Sequence, residues 1–164
     1  MKIVFLDFDG VLNSLKFMEN ESKNGKMKKD GFYFCLKDFD VKKVMLVREL
    51  CEKTDSKIVV TSSWKKMKKY PLIKGCLIVM GLPIIGETND YGSKRGKEIK
   101  EYLLANECED YIVVDDEIFK DYDKEILSRL VKTSFYEDGF EEKHLTEAIN
   151  LFDGNELVRK YGKK

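Results

Sequence analysis

The chain has 164 residues, 43% of them hydrophobic, and its 30 basic and 30 acidic side chains leave no net charge. That length suits one domain spanning residues 1–164 that buries most of its apolar surface, and no apolar run is long enough to cross a bilayer. Cys35, Cys51, Cys76 and Cys108 are widely spaced with no CxxC pair and one histidine in the chain, which argues against a zinc site. Reduced thiols, and a start that enters a strand with no leader, give the expectation of a cytoplasmic protein.

In chain order, the first informative stretch is residues 2–13. Ile3, Val4, Phe5 and Leu6 run straight into Asp7 and Asp9, then Gly10. A short apolar run closed by a turn residue reads as a strand buried on both faces of a parallel sheet. The two acids therefore stand at the carboxyl end of that strand, where open α/β sheets bind ligands. Residues 14–36 hold a loop-sized insertion. The polar stretch 19–29, with Asn20, Asn24 and Gly25, predicts an exposed loop or hairpin, and 31–36 carry the aromatic bias of a short strand or packed arm. Asp38 or Asp40 caps a helix reaching about residue 53, with Val41, Val44, Met45 and Arg48 at helical spacing.

Residues 57–60 predict a second strand, ending in Thr61, Ser62, Ser63 and Trp64. Three hydroxyls at a strand end can donate to an anion, cap the next helix, or do both. Lys65, Lys66, Lys68 and Lys69 read as the solvent side of that helix, and Trp64 as a packing aromatic. A helix over 71–80 and a strand over 83–86 follow. Lys94 and Arg95 then open a helix through about residue 106. Two cations at a helix start oppose its macrodipole, which calls for something anionic nearby. Residues 111–114 predict a fourth strand ending in Asp115, Asp116 and Glu117. Together with Asp7 and Asp9 these form a hard, all-oxygen donor set of the kind Mg2+ prefers. A fifth strand over 130–133 and a helix over 145–157 close the chain, with His144 expected on the surface. The alternation predicts a three-layer, Rossmann-like α/β fold with a mostly parallel five-stranded sheet, its polar strand ends along one edge.

Zero net charge hides an asymmetry. Residues 10–75 carry 16 Lys/Arg against 8 Asp/Glu, and residues 101–164 carry 9 against 17. The basic part reads either as a solvated surface or as a rim around a site for a phosphorylated polyanion.

The order DFDGV, a strand ending in TSSW, KRG before a helix, and a strand ending in DDE resembles the haloacid dehalogenase-like (HAD) phosphohydrolase superfamily over residues 3–117. The stretches IVVTSSW, RGKEIKEYL and YIVVDDE are similar to small HAD domains, some of them in nucleic-acid repair proteins. This resemblance implies that Asp7 is the nucleophile, forming an aspartyl-phosphate, and Asp9 the general acid and then base. It implies phosphate binding by Ser62, with Thr61 or Ser63 as alternatives, and charge neutralisation by Arg95 or Lys94. Asp115 and Asp116 would complete a Mg2+ site with Asp7 and the Asp9 carbonyl. The insertions leave room for only a minimal cap. The implied site is open and suits a bulky phosphorylated substrate such as a nucleic-acid end. The alternatives are a nucleotide or small-metabolite phosphatase that gains a lid as a homo-oligomer, and a non-catalytic Mg2+-binding module.

Overall fold

The apolar runs pair as their composition predicts. In a computed structural model, which describes residues 1–24 and 37–161, five strands form one sheet. They are β1 (Lys2–Leu6), β2 (Ser56–Val60), β3 (Ile84–Glu87), β4 (Asp110–Asp115) and β5 (Leu130–Lys132). All pairs are parallel, in the order β3-β2-β1-β4-β5, which puts the first strand at the centre. Six α-helices lie among the described residues: α1 (Leu15–Asn24), α2 (Val41–Thr54), α3 (Tyr70–Val79), α4 (Arg95–Ala105), α5 (Lys124–Ser128) and α6 (Glu142–Tyr161). A 3-10 turn at Ser63–Lys66 joins β2 to α3.

Strand alternation sorts the core into two layers. Val4, Leu6, Val60 and Val114 face one side, under Val44 and Val47 of α2, Ile73 and Leu77 of α3, and Ala148 and Phe152 of α6. Ile3, Phe5, Val59 and Val113 face the other, under Ile99 of α4 and Ile126 of α5. This is the three-layer α/β arrangement expected. Between the 3-10 turn and α4 the chain holds only α3 and β3, and both build the core.

Several local expectations change. Residues 15–24 form a helix, so that 19–24 are helical where the turn formers predict a loop or hairpin. Ser14 starts it by accepting from Phe17 N at 3.2 Å, and Leu15 to Glu19 are good helix formers. The strand or arm expected over 31–36 lies outside the described residues. In α2, Asp40 caps Lys42 N at 3.0 Å as predicted, but Val41 and Met45 are exposed while Val47 and Leu50 take the core face. His144 is 5% exposed rather than on the surface. Its Nδ1 accepts from Glu141 N at 2.9 Å and its ring stacks on Phe140, so it caps the first turn of α6.

Among the described residues, several lysines of the basic part sit in ion pairs. Lys66 pairs with Asp90 at 2.7 Å, Lys69 with Asp38 at 3.1 Å and Lys43 with Asp138 at 3.2 Å. Lys65, expected in solvent, is buried against Glu98 at 2.9 Å. Cys51 and Cys76 are buried and Cys108 is half-buried. No described helix is long and apolar enough to cross a membrane.

Candidate active site

The sheet register builds the site. Leu6 pairs with Val60 on one side and Val114 on the other, so the next residues, Asp7, Thr61 and Asp115, come level at the strand ends. Backbone bonds carry the ladder one step further, from Asp7 N to Val114 O at 3.0 Å and from Thr61 N to Leu6 O at 2.9 Å. By alternation these three residues follow Phe5, Val59 and Val113 onto the α4 face. Arg95 opens α4 on that face. Its guanidinium Nη1 stands 2.8 Å from Asp115 Oδ2 and 3.4 Å from Asp7 Oδ1, over the ring of Phe119. This is the anionic partner that a basic helix start calls for. Lys94, one position earlier, is exposed and makes no capping bond.

Asp116 leaves the end of β4 and turns under Gly10. Gly10 has φ 73°, and any Cβ there would collide with the Asp116 carboxylate. A left-handed glycine is therefore needed twice over, for the turn and for the approach. Oxygens of Asp7, Asp115 and Asp116 converge within 4.8 Å of one another. Burial raises all three acids. Asp7, 7% exposed, is pushed up to about 7 by burial and then by Asp115, with Arg95 pulling the other way. Asp116 is pushed up to about 6 by burial and then by Asp7. Asp115 also rises through burial, although Arg95 and the Glu117 N–H oppose this. For Arg95, burial disfavours the cation, but Asp7 and Asp115 outweigh it and its pKa rises. Three convergent carboxylates with one buried guanidinium leave excess negative charge, and an all-oxygen donor set of this kind fits a hard divalent cation such as Mg2+.

Asp9 stands apart from this cluster, exposed to an open cleft of about 750 Å³. Trp64 Nε1 donates to its Oδ2 at 2.9 Å and Asn13 Nδ2 to its Oδ1 at 3.0 Å. Asn13 Oδ1 in turn accepts from Gly10 N at 2.9 Å, closing the turn that carries both acids.

The three hydroxyls part company. Thr61 Oγ1 is buried with no hydrogen-bond partner among the described residues, level with Asp7. Ser62 is also buried, and its Oγ accepts from Trp64 N at 3.3 Å, the capping role anticipated for this stretch. Ser63 is exposed on the cleft wall. The structure thus brings Asp7, Asp115, Asp116 and Arg95 together, places Asp9 and Ser63 on the adjoining cleft, and leaves Lys94 outside.

Sequence reasoning missed four supporting groups. Trp64 and Asn13 hold Asp9, the Tyr122 hydroxyl donates to Asp115 Oδ2 at 3.3 Å, and Phe119 lies under Arg95. Only Asn13, four residues after Asp9 across a turn, had a spacing that pointed to its contact.

In comparisons with known proteins, the family described as "HAD domain in Swiss Army Knife RNA repair proteins" matches residues 3–145. No curated protein and no solved structure matches the chain.

Proposed function

Because the chain belongs to the HAD domain family of Swiss Army Knife RNA repair proteins, we propose that it is a Mg2+-dependent phosphohydrolase that cleaves phosphate from a nucleic-acid end through an aspartyl-phosphate. The observation that carries this reading is the convergence of the Asp7, Asp115 and Asp116 carboxylates within 4.8 Å, with Arg95 beside Asp7 at 3.4 Å and Asp9 on the open cleft next to them. We read residues 1–164 as one HAD-like unit with a minimal cap, because α3 and β3 belong to the core.

The roles follow from position. Asp7 attacks phosphorus, forming a carboxylate–phosphorus bond as the ester P–O bond breaks, and Asp9 gives its proton to the departing oxygen. Asp9, now a carboxylate, takes a proton from a water that attacks the same phosphorus. The Asp7 carboxylate and inorganic phosphate are released. A carboxylate approaching a phosphate meets like-charge repulsion, which the Arg95 guanidinium offsets. Mg2+, held by Asp7, Asp115 and Asp116, would supply further neutralisation of phosphoryl charge. Thr61 takes first place among the hydroxyls as a phosphoryl ligand, because its oxygen is level with Asp7 and otherwise unpartnered among the described residues. An openly accessible cleft favours a bulky substrate over a small metabolite.

The test is phosphate release from phosphorylated oligonucleotides with and without Mg2+, alongside acid-quench trapping of a phosphoenzyme. Wild-type protein should turn over and yield an acid-stable, base-labile adduct, and Asp7→Asn should do neither. An adduct on Asp7→Asn protein would overturn the nucleophile assignment.

A further inference from the structure

One wall of the cleft beside Asp9 and Asp116 is aromatic, and the chemistry assigned to Asp7 makes no use of it. Phe135 and Tyr136 stand in the turn between β5 and α6 and line the same cleft. Tyr136 is 83% exposed, touches only Phe135 edge-on among the described rings, and has no hydrogen-bond partner among the described residues. A lone exposed aromatic is ordinary on a surface. This one stands on an anchored turn.

The turn that carries it is fastened to the loop that carries Asp9. Leu15 N donates to Phe135 O at 2.8 Å, Phe140 N donates to Val11 O at 2.9 Å, and Thr133 Oγ1 donates to Gly10 O at 2.6 Å. Gly139, with φ 60°, lies so close that a Cβ there would come within 2.9 Å of the Val11 and Asn13 carbonyls. The turn that presents the ring is thereby fixed relative to the phosphate end of the cleft, and an anchored backbone lowers the ordering cost of a contact made there.

Trp64, the other large aromatic of the cleft, is already engaged. Its ring packs on Phe39 at 5.0 Å, Lys69 Nζ sits 5.2 Å from its centroid, and its N–H is spent on Asp9. Two described cations near this wall are engaged too, Lys69 by Asp38 and Lys66 by Asp90, so among the described residues a long polyanion meets few unpaired charges there. The exposed Tyr136 ring offers short-range contact to something flat.

We propose that the cleft takes the terminal nucleoside of a phosphorylated strand, its base stacked on Tyr136 while its phosphate reaches Asp7. This deepens the phosphohydrolase reading above and rests on it. Base–aromatic stacking tolerates any base, so the site senses that a base is present rather than which one.

The experiment measures binding, so it does not depend on turnover. Asp7→Asn protein with Mg2+ is titrated, by fluorescence anisotropy, into labelled oligoribonucleotides whose phosphorylated end carries either a base or an abasic sugar, and into a labelled phosphoserine peptide. The base-bearing end should bind roughly tenfold tighter than the abasic one, the typical worth of one stacked base. Adding Tyr136→Ala or Tyr136→Leu should erase that preference, and Tyr136→Phe should keep it. Equal affinity for both ends, absence of binding, persistence of the preference in both Tyr136→Ala and Tyr136→Leu proteins, or tighter binding of the phosphopeptide would overturn the proposal. Phosphate release by wild-type protein from the abasic strand decides the hydrolase reading separately.

Discussion

Trp64 donates its indole N–H to Asp9 Oδ2 at 2.9 Å, from a 3-10 turn 55 residues further along the chain. The ring is locked by Phe39 and Phe8, so the carboxylate is held in one orientation over the cleft. In the proposed mechanism that orientation aims the proton at the leaving oxygen, which makes Trp64 a positioning residue.

Trp64→Phe keeps an aromatic ring among its neighbours and removes the N–H. The fold should survive, while kcat falls by about tenfold on alkyl phosphates, a fraction of the roughly 10²–10⁴ that general acid–base catalysis supplies. Aryl phosphates with good leaving groups need little proton donation and should be hydrolysed nearly normally. A loss of equal size on both substrate types would remove Trp64 from the positioning of Asp9.

Thr61 and Ser62 should behave differently although both are buried hydroxyls at one strand end. Thr61→Val preserves shape and removes an oxygen with no partner among the described residues, so stability should hold or rise while KM increases by about tenfold. Ser62→Ala removes the acceptor for Trp64 N and should cost about 1 kcal/mol of stability, read in denaturant melts. The reverse pattern, with Ser62→Ala raising KM and Thr61→Val silent in kinetics, would move the phosphate contact by one residue.

The sheet and its polar ends were legible because each strand is a continuous apolar run, Ile3 to Leu6 or Ile112 to Val114, broken by acids or hydroxyls. Backbone pairing then brings Asp7, Thr61 and Asp115 level with little help from side chains. What escaped was long-range partnership. Lys65 looks like its lysine neighbours, and only the fold supplies Glu98 beside it. His144 sits in polar sequence, yet its ring nitrogen accepts a helix-start N–H and is buried for it. In α2 the apolar residues outnumber the positions that face the core, so spacing alone did not choose Val47 over Met45.

The stabilising effect of Mg2+ should grow with pH. Asp7 rises from 3.8 to about 7 and Asp116 from 3.8 to about 6, both first through burial. A raised folded-state value means that the metal-free fold keeps protons the unfolded chain has released, so its stability falls as pH rises from about 4 to 7. Cation binding displaces those protons, and the Mg2+-dependent gain should climb by up to about 1.4 kcal/mol per pH unit per proton displaced. His144, lowered from 6.5 chiefly by burial, acts with the opposite sign, destabilising the fold as pH falls below 6.5. It cancels in the difference between melts with and without Mg2+. A difference that stays flat between acidic and neutral pH would sink the idea that the cation sits on these carboxylates.

Lys65 and Glu98 form the buried ion pair that ties the turn after β2 to the first turns of α4. Lys65 Nζ also reaches Thr88 Oγ1 at 2.9 Å and Asn89 O at 2.8 Å, and Glu98 Oε1 accepts from Tyr91 N at 2.8 Å. Removing one partner strands the other charge in the interior, so Lys65→Met should destabilise by about 3–5 kcal/mol. The double variant Lys65→Met, Glu98→Gln leaves no unpaired charge and should regain most of that stability. Its activity should nonetheless stay low, because Arg95 lies one turn before Glu98 and depends on the same helix start for its place beside Asp7. Chemical denaturation and kcat measured on the single and double variants separate the two effects. Full recovery of both stability and kcat in the double variant would show that the pair has no part in placing Arg95.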